Sequence, residues 1–214
     1  MTSPPADPGI YHITHADNLE GILRVGRLWC DAQVRALSAA RTAIGYQHIK
    51  DRRLRRKVTT ASGGCLGDYV PFNFCPRSVM LYAVAGRTTG YDGGQDPVVH
   101  LVSTIQTAID SGRPWAFTDR HAELGHALYY DDLCQIEEVD WSVMDIRKWW
   151  GGDSAVRERR QAEFLVHEWF PWSSIQRVVT RTEETAERVR SILAQHGAMQ
   201  SVTVEPSWYY ETKP

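Results

Sequence analysis

The sequence predicts one domain, over residues 1–214, that combines short β-strands with a few helices. A chain of 214 residues can bury a sizeable core, and its 43% hydrophobic and 23% charged residues are close to the averages for globular proteins. Apolar residues fall mainly in short runs or at alternate positions, which favours strands, and two segments show the spacing of amphipathic helices. Residues 1–8 are rich in proline and small residues, so a loose tail is expected there.

Composition excludes several classes of protein. The 24 Lys and Arg nearly balance the 26 Asp and Glu, for a net charge of −2, which argues against a generic DNA coat but leaves room for a local basic groove. The four cysteines form no Cys-x-x-Cys pair, so they favour free thiols in a reducing compartment. The eight histidines lack a ligand spacing such as His-x-x-x-His, and no metal is expected.

No targeting or membrane signal is visible. The N-terminus lacks a basic segment followed by an apolar run, and no stretch approaches the roughly 20 apolar residues of a membrane span. We therefore expect a soluble cytoplasmic protein without membrane contact, and we take it to be a monomer.

The chain begins with a strand at residues 10–14 that leads into a helix. Asp17 or Asn18 can cap this helix, its apolar residues follow the i, i+3, i+4 spacing, and Gly26 ends it. Such a unit can present backbone N–H groups to a phosphate or a polar ligand. The signal is weak by itself, since many α/β proteins begin in this way.

A basic run follows at residues 52–57. It holds five cationic residues, Arg52, Arg53, Arg55, Arg56 and Lys57. A solvated helix face is the simpler interpretation. The functional alternative is that one arginine binds a pyrophosphate or carboxylate in a bidentate manner while the others attract an anionic polymer. Residues 61–64, which include two glycines, are expected to form a mobile loop.

Strands are predicted through the middle of the chain. Pro71 within the strand at 69–74 indicates an edge or a bulge, and the apolar run at 79–84 predicts a fully buried strand. A glycine-rich turn is expected at 90–94. His100, in a strand at 98–102, is interpreted as a core histidine with satisfied hydrogen bonds.

Residues 112–160 are harder to interpret. A strand end is expected at 115–119, followed by a short helix that carries His121, His126, Tyr129 and Tyr130. Trp149 and Trp150 precede two glycines, which indicates a loop with exposed aromatic rings. Such rings stack unpaired nucleic-acid bases, although core packing is the simpler interpretation for each tryptophan singly.

Glu163 lies near the start of a predicted strand. Phe164 and Val166 share one face of this strand, and Glu163 and Leu165 share the other. A carboxylate at such a position is usually solvated. The remaining pattern predicts a strand at 175–180, a helix capped by Thr182 and ended by Gly197, and a last strand at 201–204.

Several of these segments, taken in order, are similar to one family. They are residues 11–19, 68–72, 76–82 and 90–94, together with Ala162-Glu163-Phe164-Leu165-Val166. In this order they resemble the DarT toxins of DarT–DarG toxin–antitoxin systems, over about residues 10–210. The resemblance implies an α+β ADP-ribosyltransferase fold, with two packed β-sheets around an NAD cleft and flanking helices. It also implies transfer of ADP-ribose from NAD+ to a base, typically thymidine, in single-stranded DNA, reversed by a DarG-type macrodomain antitoxin.

The resemblance also implies site residues. The NAD site would be lined by His12, Ile13, Thr14, Gly21 and Leu28, with Trp29 as an alternative to Leu28. The catalytic glutamate falls on Glu163, and the essential arginine on Arg52 or Arg53, of which we take Arg52. Residues from about 115 to 160 correspond to the substrate-recognition loop. His121 departs from the Asp-Gly-Asn form of some relatives, which leaves the preferred base and DNA motif open.

These residue types fit the chemistry of ADP-ribose transfer. Glu163 would stabilise positive charge on the ribose as the nicotinamide bond breaks, and would take the proton of the acceptor nitrogen directly or through a water. Arg52 would hold an NAD phosphate or the deprotonated base, because a guanidinium only donates hydrogen bonds. Arg53, His121, Trp149 and Trp150 are expected to contact the DNA.

Two other functions stay open from the sequence. The acceptor could be RNA or protein, as in other ADP-ribosyltransferases or the related RNA 2′-phosphotransferases. The chain could also be a non-catalytic module that binds NAD or single strands. The retention of His12, Arg52 and Glu163 argues against the second alternative.

Overall fold

The computed structural model describes residues 3–39, 41–60 and 62–211. Ten strands lie in this part of the chain. They are β1 (Gly9–His15), β2 (Arg27–Trp29), β3 (Tyr69–Asn73), β4 (Val98–Thr104), β5 (Trp115–His121), β6 (Tyr129–Tyr130), β7 (Ala162–His167), β8 (Trp169–Pro171), β9 (Arg177–Thr180) and β10 (Ser201–Val204). Seven α-helices accompany them: α1 (Asn18–Val25), α2 (Asp31–Ala36), α3 (Gln47–Arg53), α4 (Val79–Ala85), α5 (Ile105–Asp110), α6 (Ser154–Arg159) and α7 (Glu183–Gln195). None of the helices described is long and apolar enough to cross a membrane.

Eight strands form one mixed sheet that is narrow in its middle. Its order is β10-β9-β4-β1-β3-β7-β5-β6, and β2 and β8 form a separate pair. Strand β1 pairs with β4 at seven positions, whereas it pairs with β3 only where Tyr11 faces Asn73. Strands β1 and β3 therefore diverge along most of their length, and the sheet behaves as two halves joined at one point.

Pro71 lies at this divergence. Strand β3 is internal in the sheet order, so Pro71 is not on an outer edge, yet the side of β3 toward β1 is largely unpaired. The Pro71 carbonyl accepts a hydrogen bond of 2.8 Å from Nδ1 of His12 instead of a ladder bond. An unpaired strand side tolerates proline because no backbone N–H is needed there.

The core encloses all of strand β7 except its last residue, His167. Residues 162–166 are all buried, and Phe164 packs against Trp115 and Phe74 on its neighbours. Each fully buried large apolar side chain contributes roughly 1.5–3 kcal/mol to folding. The position of Glu163 is therefore fixed by apolar packing on both sides of it in the sequence.

Two predicted elements were wrong. Residues 79–84 form helix α4 rather than a strand, because the Ser78 hydroxyl caps its first turn by accepting from the Leu81 N–H at 3.1 Å. An apolar run of this length suits a buried helix as well as a buried strand. The predicted helix after residue 119 is absent from the described structure, because His121 ends β5 and Tyr129 and Tyr130 form β6.

Other elements agree with the sequence. Gly26 ends α1 in the left-handed region, with φ of 68°, and the Thr182 hydroxyl caps α7 by accepting from the Thr185 N–H. The end of the predicted tail is tied down, since the Pro8 carbonyl accepts from the Ile105 N–H at 3.0 Å. Met1, Thr2 and Ala61, which belong to the predicted tail and loop, lie outside the described residues.

His100 is a satisfied core histidine, as the sequence suggested. It is fully buried, with Nε2 2.9 Å from the Pro76 carbonyl and Nδ1 3.2 Å from the Tyr209 hydroxyl. Burial lowers the pKa of His100 to about 4, only partly opposed by its bond to Pro76. The ring is therefore neutral in the folded chain at neutral pH.

This burial predicts acid sensitivity of the fold. The unfolded chain binds a proton on His100 near pH 6.5, whereas the folded chain resists it until about pH 4. The free energy of unfolding should therefore fall as the pH drops through this window, by up to about 3 kcal/mol. Urea denaturation of the wild type and of His100→Gln, between pH 7.5 and about 4, measures this. Equal slopes in the two proteins would contradict it.

Candidate active site

A cavity of about 1980 Å³ opens where the two halves of the sheet diverge. It is larger than the roughly 300–1,000 Å³ typical of a small-molecule site, so it has room for more than one ligand group. One part of its lining comes from β1, α1, β2 and α3, and another from α4, the loop at 147–153 and α6. Every site residue predicted from the sequence lines this cavity except Arg52.

Glu163 and Arg53 form a buried ion pair in the cavity wall. Nη1 of Arg53 donates to Oε1 of Glu163 at 3.0 Å, and Nη2 lies 2.9 Å from Oε2. The two side chains are only 9% and 8% exposed. The second contact lacks hydrogen-bond alignment, so Nη2 and Oε2 have no hydrogen-bond partner within the described chain. These two atoms are buried and interact with each other through their opposite charges.

The pair holds both groups in their charged forms. Burial alone would raise the pKa of Glu163, but the charge and hydrogen bond of Arg53 hold that pKa below its ordinary value. Burial likewise opposes the charge of Arg53, and Glu163 nevertheless raises the pKa of Arg53. A carboxylate in this state stabilises a nearby positive charge well but is a weak base.

The choice of Arg52 as the arginine of the site does not agree with the geometry. The Arg52 side chain is 55% exposed, does not line the cavity, and pairs with Glu123 at 2.8 Å. Successive residues of a helix point about 100° apart, because a turn takes about 3.6 residues. Helix α3 therefore turns Arg53 toward Glu163 and Arg52 away from it.

The rest of the basic run is also largely engaged. Nη2 of Arg56 donates to the Leu124 carbonyl at 2.7 Å, and Lys57 forms a β-bridge with Cys65. Glycines at 63 and 64 adopt positive φ of 62° and 74° in the connecting loop. The side chains of Arg52, Arg53 and Arg56 thus bind neighbouring segments, whereas those of Arg55 and Lys57 are exposed.

His121 reaches the same cavity from the end of β5. Its partner in β7 is Ala162, next to Glu163, after a bulge that shifts the register between Phe117 and His121. Burial lowers the pKa of His121, and the nearby charge of Glu163 only partly opposes this. The imidazole is therefore neutral at pH 7 and can accept a proton.

Strand β1 and helix α1 supply the second part of the predicted site. His12, Ile13 and Thr14 line the cavity, and the Thr14 hydroxyl accepts from Nδ2 of Asn18 at 3.0 Å. Burial lowers the pKa of His12, so this ring is also neutral. Gly21 lines the cavity too, and a Cβ placed on it would meet nothing within 4 Å. Packing does not require glycine there, whereas close approach of a ligand would.

Leu28 and Trp29 both line the cavity, so the geometry does not separate these alternatives. Leu28 is nearly fully buried, and Trp29 is partly exposed with Arg27 5.0 Å from its ring.

Three charged residues of this wall were missed from the sequence. Asp31 pairs with Arg41 at 2.7 Å, and Lys50 lies in the same lining. Burial lowers the pKa of Lys50, with Arg41 acting in the same direction. Isolated charges in a polar segment carry no period or motif, and only Lys50 lay near a segment singled out from the sequence, two residues before the basic run at 52–57.

The two adjacent tryptophans differ in their surroundings. Trp149 is 4% exposed, and its indole N–H donates to the Tyr210 hydroxyl at 3.0 Å, so the prediction of an exposed ring was wrong for it. Trp150 is partly exposed and stacks on Tyr82, with ring centroids 5.3 Å apart and planes at 19°. Of the two tryptophans, Trp150, stacked on Tyr82, is the more accessible from the cavity.

Cations surround this aromatic pair. Four exposed basic residues line the same part of the cavity: Arg87, Arg147, Lys148 and Arg157. None of them forms a salt bridge with another described residue. This cluster is free to contact an anionic polymer. Among the described residues, no group of three His, Cys, Asp or Glu side chains could hold a metal ion.

Comparison with known proteins agrees with this geometry. The family described as "ssDNA thymidine ADP-ribosyltransferase, DarT" matches residues 11–210. A DNA ADP-ribosyl transferase of Thermus sp. (strain 2.9) is 43% identical over 211 residues, which cover 98% of this chain and 99% of that protein.

Solved structures give the same result. Thermus sp. 2.9 DarT in complex with ADP-ribosylated ssDNA superposes with a TM-score of 0.92 at 42% identity, covering 98% of this chain and 99% of that chain. Its complex with NAD+ gives a TM-score of 0.89 at 40% identity, covering 97% and 100%. Thermosipho africanus DarTG in complex with ADP-ribose, at 19% identity and a TM-score of 0.78, covers 95% of this chain and 51% of that one, and it supports the fold alone.

The α+β ADP-ribosyltransferase fold expected from the sequence is thus confirmed, and so is the expected reaction class. With a family match from residue 11 to residue 210, the chain belongs to the DarT family of single-stranded-DNA thymidine ADP-ribosyltransferases.

Proposed function

We propose that the chain transfers ADP-ribose from NAD+ to a thymine base in single-stranded DNA, with release of nicotinamide. The buried Arg53–Glu163 pair in the wall of the large cavity is the observation that carries the proposal. The Thermus relative that this chain resembles throughout its length has been solved with NAD+ and with ADP-ribosylated ssDNA. A cavity with two differently lined parts suits two substrates.

NAD+ is assigned to the part lined by β1, α1 and β2. The assignment rests on the predicted residues His12, Thr14 and Gly21, which lie together there. The neutral His12 ring and the Thr14 hydroxyl offer hydrogen bonds without charge, which suits the ribose and amide of nicotinamide. The open space at Gly21 lets the ligand approach the helix backbone.

Glu163 is assigned to the bond-breaking step. As the bond between the ribose C1′ and the nicotinamide nitrogen breaks, its electron pair leaves with nicotinamide and positive charge develops on the ribose. A buried carboxylate that is already ionised stabilises this charge more than it stabilises the ground state. Arg53 keeps the carboxylate charged and fixes its position in the cavity wall.

The proton of the acceptor nitrogen is assigned to His121, which revises the sequence-based assignment to Glu163. A proton on Glu163 would cancel the charge that Arg53 faces in a buried pair, which is unfavourable. A proton on His121 instead creates a cation beside the Glu163 carboxylate. The thymine nitrogen then forms its bond to C1′ as its proton passes to the imidazole.

The DNA strand is assigned to the part lined by α4, residues 147–153 and α6. The four unpaired cations there can neutralise phosphates, and the Tyr82–Trp150 pair can stack a base. A single strand suits this site because the pairing edge of thymine is blocked in a duplex, and flipping a base out costs a few kcal/mol.

A cellular role is proposed from family membership. The chain acts as a monomeric toxin in the cytoplasm, and a DarG-type macrodomain antitoxin removes the modification.

The first test is replacement of the catalytic carboxylate. Glu163→Gln keeps the size of the side chain and an acceptor for Arg53 but removes the charge, so transfer should fall about 10²–10³-fold. The readout is the intact mass of a thymine-containing single-stranded oligonucleotide after incubation with NAD+, beside duplex and RNA oligonucleotides. Glu168→Gln, which alters a half-exposed carboxylate paired with Arg113, is the matched control. Undiminished transfer by Glu163→Gln, or modification of the RNA instead, would overturn the proposal.

The assignment of His121 predicts a pH profile. The base must be neutral, and burial lowers its pKa, so transfer should be constant near pH 7–8 and fall only below about pH 6.5. His121→Gln should lose this acid limb and transfer about 10²–10⁴ times more slowly. Nicotinamide release without DNA should persist. Transfer rates at a series of pH values, with saturating substrates, decide the point, and an unchanged acid limb in the variant would refute the assignment.

The stacking assignment predicts weaker DNA binding in Trp150→Ala. The KM for the oligonucleotide should rise roughly 5–150-fold, equivalent to about 1–3 kcal/mol per stacked base, while the KM for NAD+ stays nearly constant. Trp150→Phe should retain most of the affinity because it keeps a ring face. Trp169→Ala removes a partly exposed tryptophan outside the cavity lining and is the control. Equal oligonucleotide KM values for Trp150→Ala and wild type would exclude the role.

A further inference from the structure

Two adjacent arginines of α3 hold two different glutamates. Arg53 pairs with Glu163, and Arg52 pairs with Glu123 in the turn at residues 122–128, between β5 and β6. Nε of Arg52 lies 3.2 and 3.3 Å from the two Glu123 oxygens, and Nη2 donates to Oε2 at 2.8 Å. Such a fork fixes direction as well as distance.

The Arg52–Glu123 pair differs from an ordinary surface salt bridge. The Glu123 side chain is only 7% exposed, while Arg52, at 55%, covers it from the solvent side. Fully exposed pairs contribute about 0–1 kcal/mol, but a carboxylate held inside the protein depends on its partner for compensation of its charge. The interaction therefore favours one position of α3 relative to the turn over all others.

A second contact joins the same two segments. Nη2 of Arg56, just beyond α3, donates to the Leu124 carbonyl, which follows Glu123 directly. From the first residue of β6, the Tyr129 hydroxyl donates to the Ala122 carbonyl at the start of the turn, at 2.5 Å. The turn is thus stiffened internally and attached to α3 at neighbouring residues.

This attachment connects the two sides of the reaction. Helix α3 carries Arg53, which aims Glu163, and the turn begins directly after His121. We propose that Arg52 and Glu123 form a latch that positions Arg53 and His121 relative to one another. Arg52 and Glu123 are positioning residues, because neither of them lines the cavity. The identity of the acceptor rests on the proposed function, but the latch itself rests on the contacts alone.

The latch predicts a loss of turnover with little loss of binding. Displacement of a reacting group by about 1 Å can cost on the order of 100-fold in rate, so Arg52→Gln and Glu123→Gln should each lower kcat about 10–100-fold. KM for NAD+ should change less than about 3-fold, since the predicted NAD contacts on β1 and α1 are untouched. Arg52→Lys keeps the charge but not the fork, and should lie between the variants and the wild type.

The charges of the two residues separate positioning from an electrostatic effect. Glu123 raises the pKa of His121, and Arg52 lowers it. Loss of the Glu123 charge would therefore move the acid limb to lower pH, and loss of the Arg52 charge would move it to higher pH. A latch instead requires that both variants lose kcat on the neutral plateau, in the same direction. Opposite shifts of the pH profile without a plateau loss would overturn the proposal.

Charge reversal gives the decisive test. The double variant Arg52→Glu with Glu123→Arg restores an ion pair and should recover at least about a tenth of wild-type kcat, whereas each single reversal should not. Arg190→Gln and Glu183→Gln break an exposed ion pair on α7, and they should leave kcat unchanged. Urea denaturation of every variant shows whether the protein is folded at the assay temperature.

The outcomes are distinct. If the wild type does not modify single-stranded DNA in the same assay, the proposed function fails. If the wild type does and the folded Arg52 and Glu123 variants retain its kcat, the latch fails. If a single variant does not fold, Arg52→Lys and the charge-reversed pair are compared with the wild type in its place. Recovery in the pair above either single reversal supports the latch, and its absence in a folded pair overturns it.

Discussion

The buried ion pair between Arg53 and Glu163 is the interaction on which the site depends. Moving two charges out of water carries a desolvation cost of several kcal/mol per ion, and removal of one partner from such a pair typically destabilises by about 3–5 kcal/mol. The fold meets this requirement by packing β7 on both faces and by ending α3 against it. The result is a buried carboxylate in the cavity wall that stays ionised. An ionised carboxylate is what stabilises a ribosyl cation.

The narrow joint in the sheet gives this pair its access to substrate. Because β1 meets β3 at a single pair of residues, the two half-sheets separate and leave polar atoms of β1 and β3 facing a cavity. Each half then carries one part of the chemistry. Strand β1 presents His12 and Thr14, while β7 and β5 present Glu163 and His121. The neutral groups of one half thus serve to bind NAD+, and the ionised pair of the other half serves to break the bond between ribose and nicotinamide.

The sequence predicted the reaction better than the geometry. The local pattern predicted the short strands that carry Glu163, His12 and Thr14, whereas the choice of these side chains came from the resemblance of their segments to one family. The sequence could not choose between Arg52 and Arg53, and the geometry favours Arg53, because a one-residue step on a helix turns a side chain by about 100° and nothing local indicates which direction is inward. The prediction of a strand at 79–84 was wrong because a continuous apolar stretch has no period that separates a helix from a strand. The cap formed by Ser78 is what identifies the helix.

The C-terminal segment has a consequence for timing. The Tyr210 hydroxyl accepts from Trp149 and donates to the carbonyl of Arg77, so one residue near the end of the described chain fastens two walls of the cavity. The wall against which the DNA is assigned is therefore complete only after residue 210 has been synthesised and folded back. A chain that has not yet been translated through residue 210 has Glu163 and Arg53 but lacks this link between Trp149 and Arg77.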